Sequence, residues 1–213
     1  MKDRDLVRGN YTVKGSWLYK FGRSVAWILC HFLYNIVYEG LENVPRDTNY
    51  IMLSNHINAW DPILIAIKVR DRAFHFLAKE SLFANPFFAK VLRKVHMLKV
   101  ARDGGSNLST MRKSLGVLRA GGTIGIFPEG HRVYTGKMEN FQSGIAMLVM
   151  NTDVPLLPVY IQGDYGFRKT VRVRFGKTLM LKDLRALPKD SVTMGRIDER
   201  LLNVVEHLAV GEH

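Results

Sequence analysis

Residues 49–78, NYIMLSNHINAWDPILIAIKVRDRAFHFLA, decide the fold. NYIMLS is a short apolar run of the length a buried strand takes, PILIAIKV predicts a helix and FHFLA a second strand. Four residues separate His56 from Asp61 in the connection. On a helix, positions five apart face different ways, so a partnership between these two side chains requires a turn. Asp61 followed by Pro62 is a good helix start, with Asp at the N-cap and Pro at the first helical position. Capping alone would account for the carboxylate. A capping carboxylate is also fixed in space, and residues 57–60 can fold His56 back toward it. A histidine so oriented is a competent general base for a hydroxyl.

The alternation continues on both sides of this stretch. NPFFAKVLRKV predicts a helix and MLKVA a strand; a helix over 108–119 ends at Gly121, TIGIF is a strand, and a helix covers about 144–150. Strands VPLLPVYI and VRVRF follow, then a helix over 192–208 with Ile197, Leu201, Val204, Val205 and Leu208 at helical spacing. This order predicts an α/β fold: a single domain with a largely parallel or mixed central sheet flanked by helices. Loops at the C-terminal ends of such strands hold ligands.

Residues 16–40, SWLYKFGRSVAWILCHFLYNIVYEG, differ in composition from the rest. Trp17, Tyr19, Trp27, Tyr34 and Tyr38 lie among aliphatics, but Lys20, Arg23, His31 and Asn35 interrupt the run. A spanning helix needs about 20 mostly apolar residues, so this segment predicts an amphipathic helix lying in a membrane interface; a helix docked on the sheet is the alternative. The expected organisation is a basic, aromatic, membrane-associating helical segment over 1–38 and a catalytic domain over 39–213.

Among 213 residues, 31 Lys and Arg against 19 Asp and Glu leave a net charge of +12. Such a surface suits an anionic partner: nucleic acid, phospholipid, a phosphorylated substrate or an acidic carrier protein. Lys90, Arg93, Lys94, Lys99 and Arg102 form one acid-free cluster, and solvated faces explain such runs equally well. Cys30 is the only cysteine, which leaves no internal disulfide and no all-thiolate zinc site. The N-terminal stretch lacks the pattern of a secretory leader, so a cytoplasmic location is expected.

A second feature is IGIFPEGHR, residues 124–132. A buried strand delivers Pro128, Glu129 and Gly130 to another C-terminal sheet edge. Glu129 is hard to explain as packing and suits a carboxylate that orients its neighbours. Gly130 permits close backbone approach, and Arg132 offers a planar fork for phosphate. A plain turn with an exposed Arg is the competing reading.

Together, NHINAWD resembles the N-H-x-x-x-x-D signature and FPEGHR the F-P-E-G-T-R signature of the glycerolipid acyltransferases typified by 1-acylglycerol-3-phosphate acyltransferase. Two further blocks are similar to that family: AKESLFANPFFAKVLRKVHMLKVAR, with Lys79, Pro86 and Arg102, and VPLLPVYI, with Pro158. The similarity runs from about residue 39 to 182. Two positions depart from the pattern. His131 stands where the family usually has Thr or Ser, and Ala89 where many members have Gly; the first bears on substrate detail more than on reaction type.

The resemblance implies acyl transfer from an acyl thioester, on coenzyme A or acyl carrier protein, to the sn-2 hydroxyl of 1-acylglycerol 3-phosphate, giving phosphatidic acid. His56 would be the base and Asp61 its orienting partner, while Lys79, Arg102, Glu129, Gly130 and Arg132 would hold or shape the glycerol phosphate site. No cofactor or metal is implied, and the enzyme would sit peripherally on the cytoplasmic face of an anionic membrane. Three rival readings remain. One is another acceptor, such as glycerol 3-phosphate or a different lysolipid. The second is a metal hydrolase with His56, Asp61, Glu129 and His131 as ligands, which lacks the usual paired-His spacing. The third is a basic nucleic-acid or membrane-binding module without catalysis; the aromatics concentrate near the N-terminus rather than interleaving with the basic residues, which argues against nucleic acid as a partner.

Overall fold

Alternate residues of the central strands enter opposite cores. Ile51, Leu53, Ile124 and Ile126 join one apolar cluster, while Met52, Leu157, Val159 and Ile161 join the other. This is the period-two outcome expected of a pleated sheet covered on both faces. The computed structural model describes residues 16–70, 72–100, 107–130 and 144–211. In chain order its elements are α1 (Trp17–Leu33), β1 (Asn35–Glu39), β2 (Ile51–Ser54), α2 (Asp61–Lys68), β3 (Phe74–Lys79), α3 (Pro86–Lys94) and β4 (Leu98–Val100). Next come α4 (Asn107–Arg119), β5 (Thr123–Ile126), α5 (Gly144–Met150), β6 (Leu156–Gly163), β7 (Thr170–Phe175), α6 (Lys182–Arg185) and α7 (Ser191–Ala209).

Among the described residues, seven strands form one sheet in the order β1-β7-β6-β2-β5-β3-β4. β2 lies parallel to β5 and β6, and β3 parallel to β5 and β4. β7 runs antiparallel to β6, and β1 runs with β7. Strands β2 to β6 therefore end at the edge where β7 and β1 begin. Helices α4, α5 and α7 contribute Val117, Val149 and Leu201 to one core, and α1 and α2 contribute Cys30, Leu64 and Ile65 to the other. The α/β fold with a mostly parallel sheet between helices is the one expected from the alternating pattern.

The N-terminal segment divides differently from the expectation of a helix through residue 38. Ser16 opens α1, its side chain accepting from the Tyr19 amide at 3.2 Å. Tyr34 is extended, its amide donating to the Cys30 carbonyl at 2.8 Å, and Asn35–Glu39 pair with Thr170–Arg174 as strand β1. Ile36, Val37 and Tyr38 are strand formers, and Glu39 is held at 2.6 Å by Arg174 and ion-paired with Arg172 at 2.7 Å. A boundary between residues 38 and 39 thus falls inside a strand.

Helix α1 both docks and stays apolar outside. Tyr19 and Cys30 are buried, whereas Trp17, Phe21, Val25, Ile28 and Phe32, spaced along one face, stand exposed, Trp17 by 74% and Phe32 by 63%. Among the described residues, no helix is long and apolar enough to cross a membrane.

One close approach at the sheet centre links packing to the site. A Cβ on Gly125 would overlap the Phe76 ring and come within 3.0 Å of the Met52 Cε. Phe76 stacks on Phe127 at 5.9 Å, and Phe127 on His56 at 4.4 Å. Gly125→Ala is expected to lower stability by about 1–3 kcal/mol through overpacking, read as a smaller urea midpoint with an unchanged slope.

Candidate active site

The site begins where β2 stops pairing through its backbone. Asn55 is buried, and its amide side chain takes the place of the next ladder rung: Nδ2 donates to the Ile161 carbonyl at 2.8 Å and Oδ1 accepts from the Ile161 amide at 2.7 Å. β6 is thereby satisfied while the β2 chain turns away. His56 is the first residue free of the sheet. Its backbone N–H donates to Glu129 Oε2 at 3.1 Å, and its ring lies on Phe127 at 28°. Glu129 and Phe127 follow β5, whose register with β2 sets Leu53 against Ile126; two motifs 73 positions apart meet here because their strands are neighbours.

Asp61 is fully buried and turned toward the loop rather than into its own helix. Its Oδ2 accepts from His56 Nδ1 at 2.8 Å, from the Ile57 amide at 2.7 Å and from the Asn58 amide at 2.8 Å. The expected N-cap role for Asp61 does not occur. Trp60 occupies the cap position without a side-chain bond to the helix, and Asp61 is itself the first helical residue. Pro62 has no N–H, which removes one of the donors that a cap would satisfy. The carboxylate is free to close the turn instead.

An ionised carboxylate only accepts, so His56 Nδ1 donates and Nε2 carries the lone pair. The His56 side chain is 20% exposed, enough for Nε2 to meet a small reacting group. The second oxygen of Asp61, Oδ1, accepts from the Tyr165 hydroxyl. Burial, then the charge and hydrogen bond of Asp61, push the Tyr165 phenol far above its ordinary range, so it stays a protonated donor.

Glu129 is buried, and Gly130 adopts φ +64° with its amide donating to the Phe127 carbonyl at 3.1 Å. That left-handed turn suits glycine and points Glu129 inward. Lys79 ends β3 at the same sheet edge, exposed, with β5 between its strand and β2, roughly 10 Å away by strand spacing. Arg102, Arg132 and His131 lie outside the described residues. Among those described, no three His, Cys, Asp or Glu side chains gather as a metal site.

Three contributors were not assigned from sequence: Asn55 as the side-chain rung, Phe127 as the platform under His56, and Tyr165. Tyr165 is 104 positions from Asp61. Its signal was a tyrosine between Gly163 and Gly166 directly after a strand that ends at the ligand edge. Removing Glu129 leaves a part-buried His56 N–H without its acceptor, a loss of about 1–3 kcal/mol. Glu129→Ala is expected to speed hydrogen exchange at the His56 amide, whereas Glu129→Gln, which keeps an acceptor, should restore most of the protection.

The family model described as Acyltransferase matches residues 35–162 of the chain. A 1-acyl-sn-glycerol-3-phosphate acyltransferase of Borreliella burgdorferi is 36% identical over 133 residues, covering 62% of this chain and 53% of that protein. One of Bacillus subtilis is 26% identical over 178 residues, covering 80% of this chain and 87% of that protein. The chain thus spans about half the length of the first relative and most of the second. The crystal structure of the 1-acyl-sn-glycerophosphate acyltransferase PlsC from Thermotoga maritima superposes over 100% of this chain and 86% of its own, with TM-score 0.65 and 25% identity.

Proposed function

The chain belongs to the acyltransferase family, and from that premise we propose that it moves an acyl group from a thioester to the sn-2 hydroxyl of 1-acylglycerol 3-phosphate, forming phosphatidic acid. The observation that carries this reading is the hydrogen bond from His56 Nδ1 to Asp61 Oδ2, which leaves Nε2 as the basic nitrogen at the C-terminal edge of the sheet. His56 Nε2 takes the proton of the acceptor hydroxyl as that oxygen attacks the thioester carbonyl carbon. The tetrahedral intermediate then expels the sulfur, the C–S bond breaks, and the thiolate leaves with the proton from the imidazolium. Atoms and charge balance as an ester and a free thiol, with no covalent enzyme intermediate. The names of the relatives support the acceptor. The thioester is carried by coenzyme A or acyl carrier protein, both anionic and suited to the +12 chain. Lys79, Arg102 and Arg132 are proposed to hold the acceptor phosphate, with Glu129 and Gly130 shaping the loop beside it.

His56→Ala should lower turnover by about a hundredfold to ten-thousandfold in a protein that still folds, with a lower unfolding temperature because the buried Asp61 loses one of its donors. The check is mass-spectrometric detection of phosphatidic acid from lysophosphatidate offered with each thioester in turn. Wild-type turnover by a folded His56→Ala protein would sink the reading. Glycerol 3-phosphate or another lysolipid, acylated faster than lysophosphatidate, would replace the acceptor.

The outward face of α1 supports peripheral membrane attachment. Its rings and aliphatics bury at about 0.8 kcal/mol per CH₂, and each nearby Lys or Arg adds roughly 1 kcal/mol on anionic lipid. The protein should float with anionic vesicles at low salt and release in part at high salt, because salt screens only the electrostatic share. Replacing Phe21 and Ile28 by Glu should abolish flotation while the domain stays folded. Continued flotation of that variant would place attachment elsewhere.

A further inference from the structure

The loop between β6 and β7, Asp164 to Lys169, touches both Asp61 and the C-terminal end of α1. At one end Tyr165 donates its hydroxyl to Asp61 Oδ1. Among the described residues this is the bond to that oxygen, since His56, Ile57 and Asn58 all donate to Oδ2. At the other end the loop is strapped to α1. The Arg168 amide donates to the Leu33 carbonyl at 2.6 Å, its guanidinium to the His31 carbonyl at 3.2 Å, and Phe167 meets Phe32 edge-on at 5.8 Å. The Tyr165 ring itself stands edge-on to Tyr34 at 5.3 Å, and Tyr34 to Trp60 at 6.3 Å.

Two features fix the loop's shape. Asp164 Oδ1 accepts from the Gly166 amide at 2.9 Å, and the Lys169 amide donates to the Gly166 carbonyl at 3.0 Å. Arg168 sits at φ +59°, a left-handed conformation that a non-glycine residue keeps only where its surroundings hold it. The strap to Leu33 and His31 supplies that hold. Tyr165 is thus presented to Asp61 by a rigid arc whose footing is α1.

A carboxylate that serves a catalytic histidine must not rotate. Three donors on Oδ2 fix one oxygen, but a single anchored oxygen leaves the plane of the group free to turn about it. A second donor on Oδ1, from a different part of the chain, removes that freedom. We propose that Tyr165 is a positioning residue for the dyad: its hydroxyl, held by the α1-anchored loop, locks the Asp61 carboxylate plane so that Oδ2 faces His56 Nδ1. The proposal rests on His56 acting as base in the acyl transfer proposed above, and Tyr165 acts through Asp61 without touching substrate.

Tyr165→Phe keeps the ring and its contact with Tyr34 and removes only the donor. With a hydrogen bond to a charged group lost, kcat should fall by about 10- to 100-fold, with the Michaelis constants of thioester and lysolipid both within about twofold of wild type. A carboxylate without that donor attracts the imidazolium proton more strongly, so the acidic limb of the kcat/KM profile should move to higher pH. In an Asp61→Asn background the same change should cost less than about twofold, because the group through which it acts is already lost. The proposal is overturned by wild-type kcat in Tyr165→Phe, by an unmoved acidic limb, or by the full loss recurring in the Asp61→Asn background. An active His56→Ala protein would sink the acyl-transfer reading; an inactive His56→Ala beside a wild-type Tyr165→Phe would sink the role of Tyr165 alone.

Discussion

The geometry of the site depends on one buried anion. Asp61 has no solvent exposure, and its ion-pair partner among the described residues is His56. Burying a carboxylate is costly unless dipoles replace its water, and here two backbone amides, an imidazole N–H and a phenol do so. An arginine in the same place would have neutralised the charge. Dipoles solvate it without cancelling it, so the field of the carboxylate still falls on the imidazole. A proton arriving at Nε2 would be stabilised by that field. The course of residues 57 and 58 follows from the same demand, because their amides must converge on one oxygen.

The second constraint is the neighbour relation of β2 and β5. Parallel strands place consecutive C-terminal loops side by side, about 4.8 Å apart, and so the His56 amide and the Glu129 carboxylate meet although neither motif contains the other. Asn55 makes the exit from the sheet possible. Had β2 continued its backbone pairing, His56 would lie in the ladder with its amide committed to the backbone of β5 rather than to the Glu129 carboxylate. By pairing through a side chain, the chain leaves the sheet one residue early with the Ile161 amide and carbonyl both met.

Most elements were legible because each apolar run had a length and period that only one conformation satisfies, as in NYIMLS against the final helix of Ile197, Leu201, Val205 and Leu208. The stretch around residues 34–39 was not, since IVY follows a helix without a glycine or proline between them, and tertiary pairing with β7 decides the change. His56 and Asp61 were legible from spacing; the direction of the carboxylate was not, because Asp before Pro satisfies the local rule for a cap whichever way the side chain points. Tyr165 was hidden for another reason. Its contact depends on where β6 lies in the sheet, and strand order is a property of the whole chain rather than of any window within it.

The antiparallel join of β6 and β7 decides at which end of the sheet α1 finishes. Since β1 follows the direction of β7, the chain leaves α1 and enters the sheet at the edge where β2 and β5 end. A sheet parallel throughout would have put the end of α1 at the opposite rim, a strand length or about 17 Å away. For the proposed reaction on a lipid held in a two-dimensional fluid, that difference is the height the reacting hydroxyl would have to climb. A lysolipid has only its glycerol and phosphate above the acyl layer. Under the proposed attachment through α1, the reversal of one strand pair puts His56 at the same rim as the end of that helix, and the acceptor of the proposed reaction could stay in its own layer.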